Sequence, residues 1–424
     1  MDSARRKRRD RLQNVLITLL ILSAVALSVR IQMYNLNVRL DFRQLSGSTT
    51  TPAAATPRLS ALSAPVRVAA SGTYGRYGTM QLTTGDWDFS NLFGPRLREA
   101  LSSAQYVSAC KPDALLEALS RPSLYYDFLS PLPLPVLAGM LGTETPAEQA
   151  SAQYLLLADC GADGVRLFLR NGTECSIYKV SLSADRLQEA IGSCELGNAF
   201  FAFERAESDP AYAAVAPDTL FLEPLPALTT LTAKTGLSDT GWLLAALGLN
   251  PNTKSRYTES GGTEVIMEGE ATIRISGGSV LYQSGSQPSL HLNLRGDSPS
   301  ADELALAANQ FLSALFTDHT GEASPYLSEI QLDGKDAVLS FDYQFGGVPI
   351  RFSDGGHAAV LTLHGSAVQE LTLRIRQYTA DNTPAALLPV LQMLAVAAQE
   401  PGADLSIAYA DSGGETVSAA WISG

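Results

Sequence analysis

Three short motifs have residue types and spacings that chemistry could use. Ser108-x-x-Lys111 and Lys234-Thr235-Gly236 reproduce two of the three marks of penicillin-interacting serine enzymes, in which a helix carries a nucleophilic serine with a lysine one turn on. The third mark, Ser-Asp-Asn, is missing: Ser208-Asp209 runs into Pro210, and Ser238-Asp239 into Thr240. Pro112, directly after Lys111, allows at best a first-turn position in a helix. Asp411-Ser412-Gly413-Gly414 has the local look of a chymotrypsin-type nucleophile but has no histidine partner motif upstream, and Ser-Gly-Gly between two strands is the chemistry of a hairpin turn.

Metal and phosphate chemistry find less. His291, His319, His357 and His364 include no HExxH and no pair at ligand spacing, and His357 and His364, seven apart on an expected strand, would face opposite sides of a sheet. They read as surface or strand histidines. Cys110, Cys160, Cys175 and Cys194 contain no CxxC and no zinc-ligand spacing, and their disulfide state stays open. Gly72-Thr73-Tyr74-Gly75-Arg76-Tyr77-Gly78 lacks phosphate-loop and dinucleotide patterns and reads as flexible entry chain. Asn171-Gly172-Thr173 is formally a glycosylation sequon and otherwise a turn. The expectation is a protein with no catalytic, cofactor-binding or metal-binding residue set.

The charge distribution points to a membrane. Six basic residues against two acidic give residues 1–11 a net +4, so of the chain's formal −13 the remainder carries −17. An acidic body argues against general nucleic-acid binding. The basic cluster directly precedes Leu12–Val29, 18 residues without a charge, which as a helix span about 27 Å. A membrane-spanning helix is therefore expected at 12–30, with a cytoplasmic tail at 1–11 and the bulk of the chain extracytoplasmic. Ala24-Val25-Ala26 is an A-x-A-like cleavage site, but the apolar stretch continues past it to Val29, which favours an uncleaved anchor. Within the span, Ser23, Ala24 and Ser28 lower the bulk of the outer half, and Ala24-x-x-x-Ser28 is a small-xxx-small pair suited to helix contact in lipid.

With 424 residues the chain exceeds one core, and the reading after the span is a linker at 31–70 and three units at 71–215, 216–299 and 300–424. The linker expectation rests on the Ser/Thr/Ala/Pro-rich stretch at 46–65, where early proteolytic cutting is expected. In the first unit, Ser90–Ala104 and Ala184–Leu196 read as amphipathic helices, and Gln153–Ala158, Val165–Arg170 and Cys175–Ser181 as an antiparallel meander. The second has a short helix at Thr240–Leu247 and strands at Thr263–Glu268, Ala271–Ser276, Ser279–Gln283 and Ser289–Asn293, with Gly277-Gly278 as a hairpin signal. The third opens with a capping box, Ser300-x-x-Glu303, before the stripe Leu304, Ala308, Phe311, Leu312 and Leu315. Strands follow at about 326–333, 336–344, 357–363 and 366–377, then a helix beginning at Thr383-Pro384 or at Pro389, then two last strands ending at Trp421. The fold class expected is α+β, antiparallel sheets with packed helices.

Several of these features resemble the YycH/YycI family of Gram-positive bacteria, and YycH more nearly. They are the basic tail with one N-terminal span, Leu249-Asn250-Pro251-Asn252 followed by Arg256-Tyr257, Leu281-Tyr282 at the end of a strand, Gly346-Gly347-Val348-Pro349-Ile350, and a terminal Ala420-Trp421-Ile422. The resemblance implies a membrane-anchored, non-catalytic extracytoplasmic regulator of the cell-wall sensor histidine kinase WalK, acting by protein contact, with the kinase and a related YycI-like protein as partners. The alternative is an extracytoplasmic penicillin-interacting serine enzyme acting on peptidoglycan, carried by Ser108, Lys111 and Lys234.

Overall fold

Alternation with period two builds the first sheet. In the strands Ser151–Asp159 and Val165–Asn171, Leu155, Leu157, Leu167 and Leu169 enter one buried cluster, while Tyr154, Leu156, Ala158 and Phe168 enter another on the opposite face. These strands and Glu174–Lys179 form the expected antiparallel meander. The computed structural model describes residues 65–80, 89–147, 150–172, 174–237, 239–294 and 299–423. The basic tail, the apolar run at 12–30 with Ser23, Ala24 and Ser28, and the proposed cutting region up to residue 64 lie outside them. Among the described residues no helix is long and apolar enough to cross a membrane.

Among the described residues seven strands make up this first sheet, in the order Gly75–Met80, Arg67–Gly72, Ser123–Pro133, Ser151–Asp159, Val165–Asn171, Glu174–Lys179 and Gln105–Ala109. Two sequence expectations are corrected here. Arg67–Gly72 and Gly75–Met80 are an antiparallel hairpin, so Gly72–Gly78 is not loose entry chain, and the folded body begins inside the stretch read as linker. The glycines serve close approach rather than flexibility: a Cβ on Gly72 would lie 2.4 Å from Leu196 Cδ1, and one on Gly78 would lie 2.6 Å from Ala199 Cβ.

Among the described residues thirteen strands make up the second sheet. Its described pairs are antiparallel except Val348–Phe352 with Leu405–Asp411, which run parallel. Strands on both sides of residue 300 share it, because Ser279–Gln283 pairs with Ala367–Arg374. The Gly277-Gly278 turn forms as expected, both residues at positive φ, 55° and 89°. The expected strand at Ser289–Asn293 reduces to a single bridge between His291 and Ala367, and Thr229–Thr235 and Val348–Phe352 are strands that alternation did not reveal.

The helix Ala301–Phe316 begins where the capping box places it, with the Ser300 amide donating to Glu303 Oε2 at 3.2 Å. Leu304, Ala308, Leu312 and Leu315 form its buried stripe, and the helix packs on the strand Ser324–Asp333 and against the helix Leu134–Met140. At that helix crossing a Cβ on Gly139 would stand 2.7 Å from Asp302 Cβ, so glycine sets how closely the two approach. The last helix, Val390–Ala397, starts after Pro389, while Thr383 and Pro384 end the strand Arg376–Pro384. The result is a mixed α+β body of mostly antiparallel sheet. Its described residues belong to one compact unit, and its largest buried cluster draws on both sheets.

Candidate functional site

The residues singled out for chemistry do not converge. Ser108 lies on the edge strand Gln105–Ala109, opposite Ile177. Lys111 caps the helix Pro112–Leu119 with extended backbone, φ −86° and ψ 150°. Serine and lysine are thus separated by a strand end rather than by one turn of helix, and Lys234 lies in the other sheet, opposite Gln377. Ser412, Gly413 and Gly414 connect the antiparallel strands Leu405–Asp411 and Thr416–Ser423, the turn their chemistry suggested. His319 stacks on Trp242 with ring centroids 3.5 Å apart, and His364 is exposed and bonded to Asp336 at 2.7 Å. Among the described residues no group of three or more His, Cys, Asp or Glu side chains is placed to hold a metal ion.

What the structure does bring together is a histidine that spacing passed over. His357 precedes the strand Ala359–His364 instead of lying on it, and its Nδ1 is 2.8 Å from Asp342 Oδ1. Asp342 is 1% exposed and takes Arg351 on its other oxygen. His357 and Arg351 line a cavity of about 570 Å³ with Ser130, Ser151, Ser328 and Glu329, so both sheets contribute to its walls. Arg351 also lines a second cavity of about 450 Å³, beside Arg67, Asp127 and Asp404. The hydrogen bond to Asp342 raises the His357 pKa above the ordinary imidazole value, against partial burial, which lowers it.

A carboxylate-anchored imidazole has the orientation a general base requires. The hydroxyls around it are engaged elsewhere: Ser130 donates to the Ser328 carbonyl, Ser328 donates to the Ser340 carbonyl at 3.0 Å, and Ser151 Oγ accepts from Asn171 at 3.3 Å. Among the described residues none of them is hydrogen-bonded to His357. The arrangement is one buried carboxylate shared by an imidazole and a guanidinium beside a cavity that both sheets line, rather than an assembled triad.

The His357–Asp342 pair is expected to make stability depend on pH. A histidine whose pKa rises on folding adds stability that is fully present below its unfolded value of about 6.5 and is lost as pH rises through the folded value. His357→Gln is therefore expected to flatten the decline of unfolding free energy between about pH 6.5 and 8, by roughly 1 kcal/mol, a modest effect because the ring is part exposed. Urea titrations of both proteins across that range test it. Parallel pH profiles for the two would remove His357 from the account.

Deeper burial surrounds a second polar group. Arg67, 4% exposed on the first strand, donates from Nε to Asp127 Oδ2 at 2.7 Å and from Nη1 to the carbonyls of Leu220, 3.1 Å, and Leu405, 2.8 Å. Asp404 stands 3.9 Å away and is shared with Arg170, which also pairs with Asp218 at 2.9 Å and lies over the Tyr154 ring. Burial raises the Asp127 carboxyl to about 7 and raises Asp404 too, against the opposing pull of Arg67. Three carboxylates against two guanidiniums join the first sheet to the start of the strand Leu405–Asp411.

The geometry defines an α+β protein whose polar clusters tie its two large sheets together. No family model, curated protein or solved structure matches the chain.

Proposed function

We propose that this chain is a single-pass membrane protein whose extracytoplasmic body regulates a cell-wall sensor histidine kinase by protein contact, without catalysis, alongside a related YycI-like protein. The basic tail, the uncharged run at 12–29 and the motifs that resemble the YycH/YycI family support the anchor and the partner. Ser23, Ala24 and Ser28 are the proposed contact inside the membrane.

One structural observation carries the contact reading. On the helix Val390–Ala397, Met393 and Leu394 insert into a buried cluster, while Leu391 and Val396 are 58% and 57% exposed, and Leu388, just before the helix, is 47% exposed. Single exposed aliphatic side chains are ordinary, but two on one short helix with a third just before it form an exposed apolar patch of the kind that marks protein contacts. The double variant Leu391→Glu with Val396→Glu is expected to lower co-purification of the kinase at least about tenfold and to leave the thermal midpoint unchanged, since neither side chain is buried. Full recovery of the kinase with this variant would take the patch out of the contact. Treating membranes with a fluorescent β-lactam discriminates the serine-enzyme alternative: no labelled band is expected at 45.0 kDa, and a band abolished by Ser108→Ala would replace the regulatory reading.

A further inference from the structure

The strand Gln105–Ala109 ends the seven-strand order and pairs with Glu174–Lys179. All five of its residues are exposed, among them Tyr106 and Val107. Its register sets Ala109 opposite Ser176, and the Cys110 amide donates to the Cys175 carbonyl at 2.8 Å, which carries the ladder one residue further. Residues opposed in an antiparallel ladder share a face, with Cα atoms about 4.5–5.5 Å apart, inside the roughly 4.4–6.8 Å that a disulfide spans. The Cys110 thiol donates to the Lys111 carbonyl at 3.1 Å, a bond it gives up when its sulfur turns to the opposed Cys175. Both are part exposed and pack on the small apolar cluster that holds Leu115, Tyr154 and Phe168.

The other cysteines are placed differently. Arg170 is aligned with both Tyr154 and Cys175, so Cys175 is level with Tyr154, while Cys160 follows the far end of that strand. Cys194 donates to the Ala190 carbonyl at 3.5 Å and packs on the other cluster.

We propose that Cys110 and Cys175 are a redox pair that closes to a disulfide in an oxidising compartment, fastening the exposed edge strand and the start of the helix Pro112–Leu119 to the sheet. The oxidant is a small or protein disulfide, RSSR. Cys110 gives its proton to solvent, and its thiolate attacks one sulfur of RSSR, breaking that S–S bond and releasing RS⁻. Cys175 then loses its proton and attacks the Cys110 sulfur of the mixed disulfide, releasing the second RS⁻. Two protein thiols are oxidised to one disulfide and RSSR is reduced to two RSH once the released protons are taken up. Burial raises both thiol pKa values, which keeps the exchange slow at neutral pH, and Cys110, at the end of the exposed edge strand, is the first to attack. The pairing does not depend on the regulatory reading above.

The test uses the full-length chain in detergent, incubated with oxidised or with reduced glutathione, alkylated, and examined by intact mass and peptide mapping. The four free cysteines are expected to be alkylated under reduced glutathione. Under oxidised glutathione only Cys160 and Cys194 should be alkylated, with a Cys110–Cys175 cross-linked peptide and proteolysis between residues 102 and 112 slowed at least about tenfold. Cys175→Ser should instead trap Cys110 as a glutathione mixed disulfide. Alkylation of all four cysteines in oxidised glutathione, a mixed disulfide in the unaltered chain that never closes, or a bond to Cys160 or Cys194 would each overturn the assignment.

Discussion

Arg67→Met is expected to destabilise the body by about 3–5 kcal/mol, the usual cost of breaking a buried ion pair from one side. The methionine fills much of the space but leaves Asp127, 2% exposed, with its cation gone, and the carbonyls of Leu220 and Leu405 without their donor. The loss depends on pH in a definite direction. A carboxyl raised to about 7 on folding binds its proton more tightly in the folded state than in the unfolded one, where its pKa is about 3.9. Stability therefore falls as pH climbs between those two values and does not recover above them. Removing Arg67 takes away the main influence holding Asp127 ionised, so its pKa moves higher still. The variant should be weakest near pH 8 and regain part of the loss near pH 5, where the carboxyl is protonated. Adding Asp127→Asn should restore stability at pH 8, because the uncompensated charge is then gone. Urea unfolding of the three proteins at both pH values decides it. A cost below about 1 kcal/mol, equal at pH 5 and 8, would mean that solvent reaches this network.

The same network shows what could not be read along the chain. Arg67 hydrogen-bonds to a carbonyl 338 residues away, and no local pattern encodes such a pairing. Locally encoded features were legible: the meander from 151 to 179, the Gly277-Gly278 turn and the cap at Ser300 follow from alternation, positive φ and a short-range side-chain bond. Glycine was read wrongly where its role is contact. At Gly72 and Gly78 the missing Cβ makes room for Leu196 and Ala199, distant partners that sequence does not name. The strand Asp336–Phe345 hid the candidate site for a different reason. Leu339, Phe341 and Tyr343 mark its apolar face, so Ser340, Asp342 and Gln344 suggest a solvated one, yet all three are buried. That side of the sheet lies beside the first sheet, where Ser130 reaches the Ser328 carbonyl. A charged residue between two large aromatics was the available signal for Asp342, and it becomes informative only once both faces are known to be covered.

Asp411→Ala is expected to cost a similar 3–5 kcal/mol, whereas Ser412→Ala, one residue on, should stay within about 0.5 kcal/mol. Asp411 is 1% exposed, and one of its oxygens accepts from the Tyr378 hydroxyl at 2.7 Å and stands 2.7 Å from Arg376 Nε. The other accepts from the Gly413 amide at 2.7 Å, which folds the Ser-Gly-Gly turn back on the end of its strand. Alanine would strand a fully buried phenol and a largely buried guanidinium, and would release the turn as well. Arg376 keeps its bond to the Gly414 carbonyl at 2.6 Å, so Asp411→Asn, which retains an acceptor for Tyr378, should fall between the two variants. This ordering separates the meanings of the Asp-Ser-Gly-Gly sequence. If the aspartate is the structural residue and the serine only part of the turn, stability follows Asp411 and ignores Ser412. Thermal unfolding of the three single variants reads it directly, and a Ser412→Ala loss equal to that of Asp411→Ala would show that the hydroxyl is itself held in a buried arrangement. Because Asp411 and Gly413 also line a cavity of about 480 Å³ with Asp354, Arg374 and Arg376, the Asp411→Ala chain should lose the shape of that surface together with its stability. Any change in partner binding by Asp411→Ala must therefore be compared with Ser412→Ala, which alters the same rim while leaving the carboxylate in place.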